Sequence, residues 1–380
     1  MKEHLLILSL LLICISLPSQ TDTLVKKLLP DSNLTFTGTR ISEKEGEFDP
    51  SGKITYSGYI SAYYAYYTDS SGISGYQKFP TVAPRNNQLG LNIVQLSAKY
   101  QSQKVRGMFT LHYGDIPQSA WSPQFNLVQE ANVGFRLLKK LWFDAGFFRT
   151  HIGLESIQPR ENITVSLATT TYFEPYFMSG AKLTWQPNDK LTLQLNAFNG
   201  FNAFVETNRN KAFGASMVYQ PNEHFTLTFN TITCDESPDH FPRKQQRIYN
   251  NLHVVYKGKN LTIGAEANFG AEQHSRLKDT NATATMFSAL LAVKYRIKKG
   301  FSIYGRGEYF SDDNEILTGP LENDDHKFIG LNIAGITLGF EEKLIYNSYI
   351  RLEGRYLTTL KPDEKIFYYQ SYSTNERYEG

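Results

Sequence analysis

The segment "LTLQLNAF", Leu191–Phe198, decides how the chain is read. Leu191, Leu193, Leu195 and Ala197 fall on one side of an extended strand and Thr192, Gln194 and Asn196 on the other, because successive strand side chains point to opposite faces. The same two-residue period returns in "LTIGAEANF" (Leu261–Phe269), "FSIYGRGEYF" (Phe301–Phe310) and "YIRLEGRYL" (Tyr349–Leu357). At helical spacing Arg351, Glu353 and Arg355 would scatter around the whole cylinder, so the strand is the reading that separates apolar from polar. About fifteen such segments follow one another, near residues 54–67, 87–100, 104–113, 126–137, 141–148, 176–186, 190–199, 211–219, 224–232, 248–257, 261–270, 284–297, 300–310, 331–342 and 348–358. The second breaks phase between Ile93 and Val94, where a β-bulge is expected.

The connections alternate in length. "QSQK" after Tyr100, the pair Lys139–Lys140, "QPND" after Trp185, "QPNEH" after Tyr219, "KGKN" after Tyr256 and "KKG" ending at Gly300 are short. Residues 68–86, 114–125, 149–175, 200–210, 233–247, 271–283 and 311–330 form the long set. Tight turns on one rim and long loops on the other is the arrangement of an outer-membrane barrel, and most segments reach the roughly 9–11 residues that a tilted strand needs to cross a bilayer. Tyr100, Trp185, Tyr219, Tyr256 and Tyr295 precede short turns, while Tyr64, Tyr66 and Tyr113 lie toward the long loops. Rings with one polar end belong at headgroup level, so "GYISAYYAYYTD" (Gly58–Asp69), with five tyrosines, is expected to carry part of the outer girdle.

The N-terminus has the form of a secretory signal peptide over residues 1–19: Lys2, then an apolar run of about eleven residues from Leu5 to Ile15, then Ser16, Pro18 and Ser19. The run is too short to span a bilayer as a helix, which takes roughly 20 residues, and Ile13 before Cys14 disfavours a lipid anchor. Residues 20–53 read as a polar periplasmic lead-in and 54–380 as the barrel, with its last strand uncertain or missing. Only Cys234 follows the signal, so the mature chain has no internal disulfide to form. Lys plus Arg number 39 against 37 Asp plus Glu, which argues against a nucleic-acid partner. The expected fold class is therefore all-β: a transmembrane antiparallel β-barrel of about sixteen strands, with short periplasmic turns and long extracellular loops, in the outer membrane.

The segments "GYISAYYAYY", "RNNQLGLNIVQLSAKY", "RGMFTLHYGD", "EANVGF", "LWFDAGFFRTHIGLES" and "PYFMSGAKLTWQPNDKLTLQLNAFNGF" resemble the OmpL-like outer-membrane β-barrel porin family (β-barrel porin-2 type) of Gram-negative bacteria, well over Gly58–Thr231 and by pattern beyond. The resemblance implies a passive channel for small polar solutes. Barrels of this kind usually end on an aromatic residue read by the insertion machinery, whereas this chain ends "STNERYEG". "KIFYYQSY" (Lys365–Tyr372) is the remaining candidate strand; either it is a poor sixteenth strand or the sequence stops short of its true end, the latter being slightly favoured.

With the apolar face toward lipid, the pore-lining charges are Glu130, Arg136, Asp144, Lys182, Glu266, Arg306, Glu308, Arg351, Glu353 and Arg355, with His112 beside them. Five basic against five acidic residues implies weak ion selectivity. The longest loop, Arg149–Pro175, is expected to fold inward as a constriction and offers Arg149, His151, Glu155, Arg160, Glu161 and Glu174. Two alternatives stay open. One is an outer-membrane barrel hydrolase using His151 or His253 with Ser156, although no nucleophile elbow is present; the other is a plugged surface adhesin. Phosphate loops, HExxH and paired CxxC motifs are absent, so no cofactor and no metal is expected. The partners expected are outer-membrane lipid, small polar solutes and the barrel-insertion machinery, and a homo-oligomer is compatible with the pattern.

Overall fold

The computed structural model describes Leu12–Ile15 and residues 52–380, except 70–75, 78, 207, 320, 322–325, 327, 346, 363, 370 and 371. Apart from Leu12–Ile15, Gly52 and Lys53, the signal peptide and lead-in lie outside the described residues, and Lys53 is the first residue of β2. The strands are β1 (Leu12–Ile15), β2 (Lys53–Ala65), β3 (Gln88–Gln101), β4 (Val105–Tyr113), β5 (Val128–Leu138), β6 (Leu141–Arg149), β7 (Phe177–Asn188), β8 (Leu191–Phe198), β9 (Ala212–Tyr219) and β10 (Phe225–Asp235). They continue with β11 (Gln246–Lys257), β12 (Leu261–Glu272), β13 (Ala284–Lys298), β14 (Phe301–Asp312), β15 (Leu331–Lys343), β16 (Tyr349–Thr359), β17 (Phe367–Tyr369), β18 (Tyr372–Thr374) and β19 (Glu376–Glu379). Two short helices, α1 (Asp115–Ala120) and α2 (Thr169–Phe173), sit in long loops. No helix among the described residues is long and apolar enough to cross a membrane.

From β2 to β16 each strand pairs with the next in the chain, all antiparallel, and β19 lies between β16 and β2 over the long-loop part of the seam. Arg355 pairs with Glu379 on one side. On the other, the Tyr66 amide donates to the Gly380 carbonyl at 2.7 Å and the Gly380 amide to the Tyr66 carbonyl at 2.9 Å. The fold is thus an antiparallel barrel of sixteen wall strands. β1 lies in the same seam, further toward the short turns, paired with both β16 and β2: Cys14 is in register with Tyr349 and Ile15 with Ile60.

The closing strand is not the one expected. Lys365–Tyr372 does not enter the wall; β17 and β18 pair with each other, and Phe367 is fully buried against Phe79 at a ring distance of 5.1 Å. The bulge falls one residue earlier than expected: Ser61 pairs with Ile93 and Ala62 with Leu91, leaving Asn92 as the extra residue.

Outward positions form an apolar band, with Leu291 53% and Leu338 64% exposed. Tyr295, Trp185, Tyr219 and Tyr256 are exposed toward the short turns, and Tyr66, Tyr113, Phe287 and Tyr309 toward the long loops, as an aromatic girdle at each interface requires. The tyrosine-rich β2 divides between two roles. Tyr66 faces outward, but Tyr59 and Tyr63 are each 1% exposed and Tyr67 is buried, all pointing into the barrel. The period of two dictates this: Tyr59, Tyr63 and Tyr67 share a face with Ala65 and oppose Tyr64 and Tyr66.

The inner face is not uniformly polar either. At the long-loop ends of the strands Phe148, Met178, Phe198, Ile232, Met286, Phe310, Ile333 and Leu357 point inward and pack with Phe79, Ile152, Ile316 and Phe367 from the loops. The loops fold into the mouth, and burial there favours apolar side chains on both sides of the contact.

Candidate functional site: the lumen and its inward loop

Deeper in the barrel the lumen face is polar and hydrogen-bonded in register. Ser216 Oγ donates to Asn230 Oδ1 at 2.6 Å, Asn230 Nδ2 to Asn251 Oδ1 at 2.9 Å, Asn251 Nδ2 to Asn268 Oδ1 at 2.6 Å, and Asn268 Nδ2 to Ser288 Oγ at 3.1 Å. Each residue is the register partner of the next across β9–β13, so one side chain per strand satisfies its neighbour. Asn251→Leu strands Asn230 and Asn268 together. The expected loss is about 1–3 kcal/mol, measured by urea unfolding in detergent micelles.

Residues 150–176 leave the end of β6 and run across the lumen. Arg149 is the last residue of β6 rather than part of the loop. Gly153 has φ +91°, a backbone conformation that favours glycine, and a Cβ there would also meet Glu174 Oε2 at 2.6 Å and push that carboxylate aside. Along β12–β16 the wall holds the loop by its backbone. Glu353 accepts from the amides of Val165 at 2.7 Å and Ser166 at 2.9 Å, Glu308 from Thr169 at 2.6 Å, and Glu266 from Leu154. Arg351 Nη1 donates to the Pro159 carbonyl at 2.8 Å. Arg306, with no exposed side-chain surface, donates to Glu155 Oε1 at 2.8 Å and Thr164 Oγ1 at 2.7 Å and pairs with Glu308 at 3.2 Å. Leu154, Ile163 and Ala168 pack against Leu290 and Ala292. On the opposite wall Gln158 Nε2 reaches Gln129 at 3.1 Å and Arg160 reaches Gln95 at 3.2 Å while lying 4.5 Å over the Tyr59 ring.

The ten expected lining charges all lie on inward positions; Asp144, Arg306, Glu308, Arg351 and Arg355 are ion-paired, and Glu266 and Glu353 accept loop amides. Asp144 is paired with Arg106; Lys182 sits 3.9 Å over the Phe148 ring; Glu308 joins Arg306 to Arg355, which reaches Glu379 at 3.5 Å. Glu130, beside Thr110 in register, and Arg136, beside Trp142, line the same side of the barrel as Asp144. The sequence reading missed Arg106, Lys294, Glu341 and Arg377. Lys294 and Arg351 share Glu341, at 2.7 and 2.8 Å, and Arg377 meets Asp69 at 3.2 Å across the seam. The first three occupy inward positions of regular strands and were legible by alternation; Arg377 lies on a strand too short to show a period.

The loop carboxylates differ in their surroundings. Glu155 accepts from Arg306, the Ala168 amide and Thr171. Glu161 takes Arg149 at 2.6 Å; burial alone would raise its carboxyl, but the Arg149 guanidinium, Ser156 and Arg160 outweigh it and hold it below the ordinary range. Glu174 accepts from the Tyr249 hydroxyl at 2.7 Å, yet burial, followed by repulsion from Glu266, pushes it well up. Of the candidate hydrolase groups, His151 Nε2 lies 3.3 Å from the Thr231 carbonyl, the Ser156 hydroxyl is engaged by Arg149 and the Gln158 amide, and His253 Nδ1 lies 2.9 Å from Asn251.

Toward β8–β11 the loop meets the wall at its two ends, His151 against the Thr231 carbonyl and Glu174 against the Tyr249 hydroxyl, and leaves a gap between them. A cavity of about 90 Å³ lies there, lined by His151, Glu174, Gln194, Ser216, Thr228 and His253 among others. His151 Nδ1, Glu174 Oε2 and Thr228 Oγ1 around it have no hydrogen-bond partner among the described residues. On the long-loop side a second cavity of about 750 Å³ lies among the first four long loops, and Tyr176 lines both.

Solved structures share this architecture. An anion-selective porin from Comamonas acidovorans is 9% identical, with 86% of this chain and 97% of that chain covered at a TM-score of 0.57. The outer membrane channel DcaP of Acinetobacter baumannii is 9% identical, with 88% and 97% covered at 0.56. OmpT of Vibrio cholerae, in a trimer form, is 10% identical, with 86% and 97% covered at 0.54. At these identities the likeness is one of fold. No curated protein matches the chain. A family model described as "Putative beta-barrel porin-2, OmpL-like" matches residues 53–377, and with nearly the whole described barrel inside that match, the chain belongs to this family of outer-membrane β-barrel porins.

Proposed function

We propose that the barrel lets small hydrophilic solutes diffuse passively across the outer membrane, with little preference between ions, and acts as a channel without catalysing a reaction. The observation that carries this reading is the inward loop: it is bonded to β12–β16 and to β3 and β5 but leaves a cavity beside β8–β11 that His151, Glu174, Gln194, Ser216 and Thr228 help to line. A solute would enter through the larger cavity, pass Tyr176, and descend between the loop arm Gly153–Glu174 and the wall. Barrels of this strand number are wide enough to hold an aqueous channel, and Arg149 at the end of β6 with the loop residues His151, Glu155, Arg160, Glu161 and Glu174 would set its cut-off. Because the lining residues Glu130, Arg136, Asp144, Lys182, Glu266, Arg306, Glu308, Arg351, Glu353 and Arg355 balance in sign, and the further inward cations Arg106, Lys294 and Arg377 are paired with Asp144, Glu341 and Asp69, the fixed field would be transverse and its net value small.

We read residues 1–19 as the export signal and 20–53 as a periplasmic lead-in. The barrel would enter the membrane through the barrel-insertion machinery, its apolar band would meet outer-membrane lipid, and a homo-oligomer is a fitting assembly given the trimer form among its structural relatives.

Planar-bilayer recording tests the reading. The intact protein is expected to give discrete conductance steps with a small reversal potential in a salt gradient. Replacing Leu154–Thr171 by a short Gly-Ser linker is expected to raise the step size several-fold. A reversal potential near that of an ideally selective pore would overturn the balanced-lumen reading, and an unchanged step would remove the loop as the constriction.

A further inference from the structure

The larger cavity has a lining unlike the rest of the barrel. Its volume of about 750 Å³ lies within the ~300–1,000 Å³ range of small-molecule sites. Among the described residues Glu206 is the one acidic or basic residue that lines it, and Lys211 pairs with Glu206. Trp121, Phe177 and Phe204 supply apolar surface, reinforced by Pro80, Pro84 and Pro123. Gln77, Tyr172 and Tyr176 also line it, and Gln77 Oε1 and the two hydroxyls are buried without a hydrogen-bond partner among the described residues. Tyr176 is 7% exposed.

These features select a chemistry. A fully charged solute would leave water with little countercharge to receive it, which is costly. A wholly apolar solute would leave the three polar groups unsatisfied, at the desolvation cost of each. A molecule with apolar C–H faces and a rim of hydroxyls meets both demands: its faces lie on the rings and prolines while its hydroxyls pair with the amide and phenols. We propose that this cavity is a binding site for an uncharged saccharide of one or two rings, with the Tyr176 hydroxyl as a direct contact at the entrance to the narrower passage. The inference rests on the channel reading above and adds its solute class.

The test uses single channels of the intact protein with trehalose added on the long-loop side. Trehalose is expected to interrupt the wild-type current in a concentration-dependent way. Tyr176→Phe removes a hydroxyl that no group among the described residues engages and keeps the ring, so the barrel folds as before. Its half-blocking concentration is expected to rise about five- to tenfold, the loss of one hydrogen bond. Trp121→Leu is expected to weaken the block as well. Open steps that trehalose never interrupts, or a block unchanged in both variants, would overturn the saccharide site while leaving the channel reading intact. Stronger interruption by adenosine or by lysine than by trehalose would overturn the assigned class. Absence of steps from folded protein would overturn the channel reading and this site with it.

Discussion

Replacing Arg306 by methionine is expected to destabilise the barrel by about 3–5 kcal/mol, the usual cost of removing one partner from a buried ion cluster. The guanidinium has no exposed surface and lies between Glu155 on the loop and Glu308 on the wall. Methionine restores much of the volume but leaves two buried carboxylates short of a countercharge. Glu308 keeps Arg355 at 2.7 Å, whereas Glu155 keeps only neutral donors. The loss should therefore fall mainly on the loop, and conductance should rise as the loop comes free. Unfolding in urea followed by tryptophan fluorescence measures the first effect. Adding Glu155→Gln to Arg306→Met should recover part of the stability, because a neutral amide is cheaper to bury than an unpaired carboxylate. If the double variant is no more stable than the single one, the destabilisation has another source.

Leu291→Arg is the second large effect. Leu291 faces outward in β13, midway between Phe287 and Tyr295, which mark the two girdles on the same face. A charge at that depth costs about 2–4 kcal/mol. Gln194→Arg, on the inner face beside the smaller cavity, should fold with near-normal stability and move the reversal potential toward anions. The pair discriminates the faces: equal losses in the two variants would mean that inside and outside had been assigned wrongly.

The alternation that revealed the strands is a local property, which is why it could be read directly. All fifteen strands β2–β16 match segments read from the two-residue period, with ends displaced by a few residues where loops continue the ladder. The closing strand could not be read that way, because four residues, Glu376–Glu379, hold only two periods and their pairing depends on Tyr66 and Thr68, some 310 residues away. The direction of the β2 tyrosines was legible in principle; a run of rings on adjacent positions obscured a period that the ring count alone does not resolve. The loop's inward course was suggested by its length and charge, but its contacts were not, since Glu353 meets Val165 across 188 residues and Arg306 meets Glu155 across 151. Nor does any local pattern mark the apolar mouth, where inward Phe148, Met178 and Phe310 make sense only once Phe79 and Phe367 fold over them.

Thiol accessibility tests the lumen geometry most directly. Thr228→Cys places a sulfur beside the passage between the loop and β8–β11, whereas Ser288→Cys places one beneath the loop, where Ser288 now contacts Thr170 at 2.7 Å. Single-channel current is recorded before and after a small cationic methanethiosulfonate reagent, with the unaltered chain, whose Cys234 is buried, as reference. A passage along β8–β11 is expected to give a fall in current for Thr228→Cys and none for Ser288→Cys or the unaltered chain. A fall in Ser288→Cys with Thr228→Cys unaffected, or no conductance steps from protein shown to be folded, would contradict it.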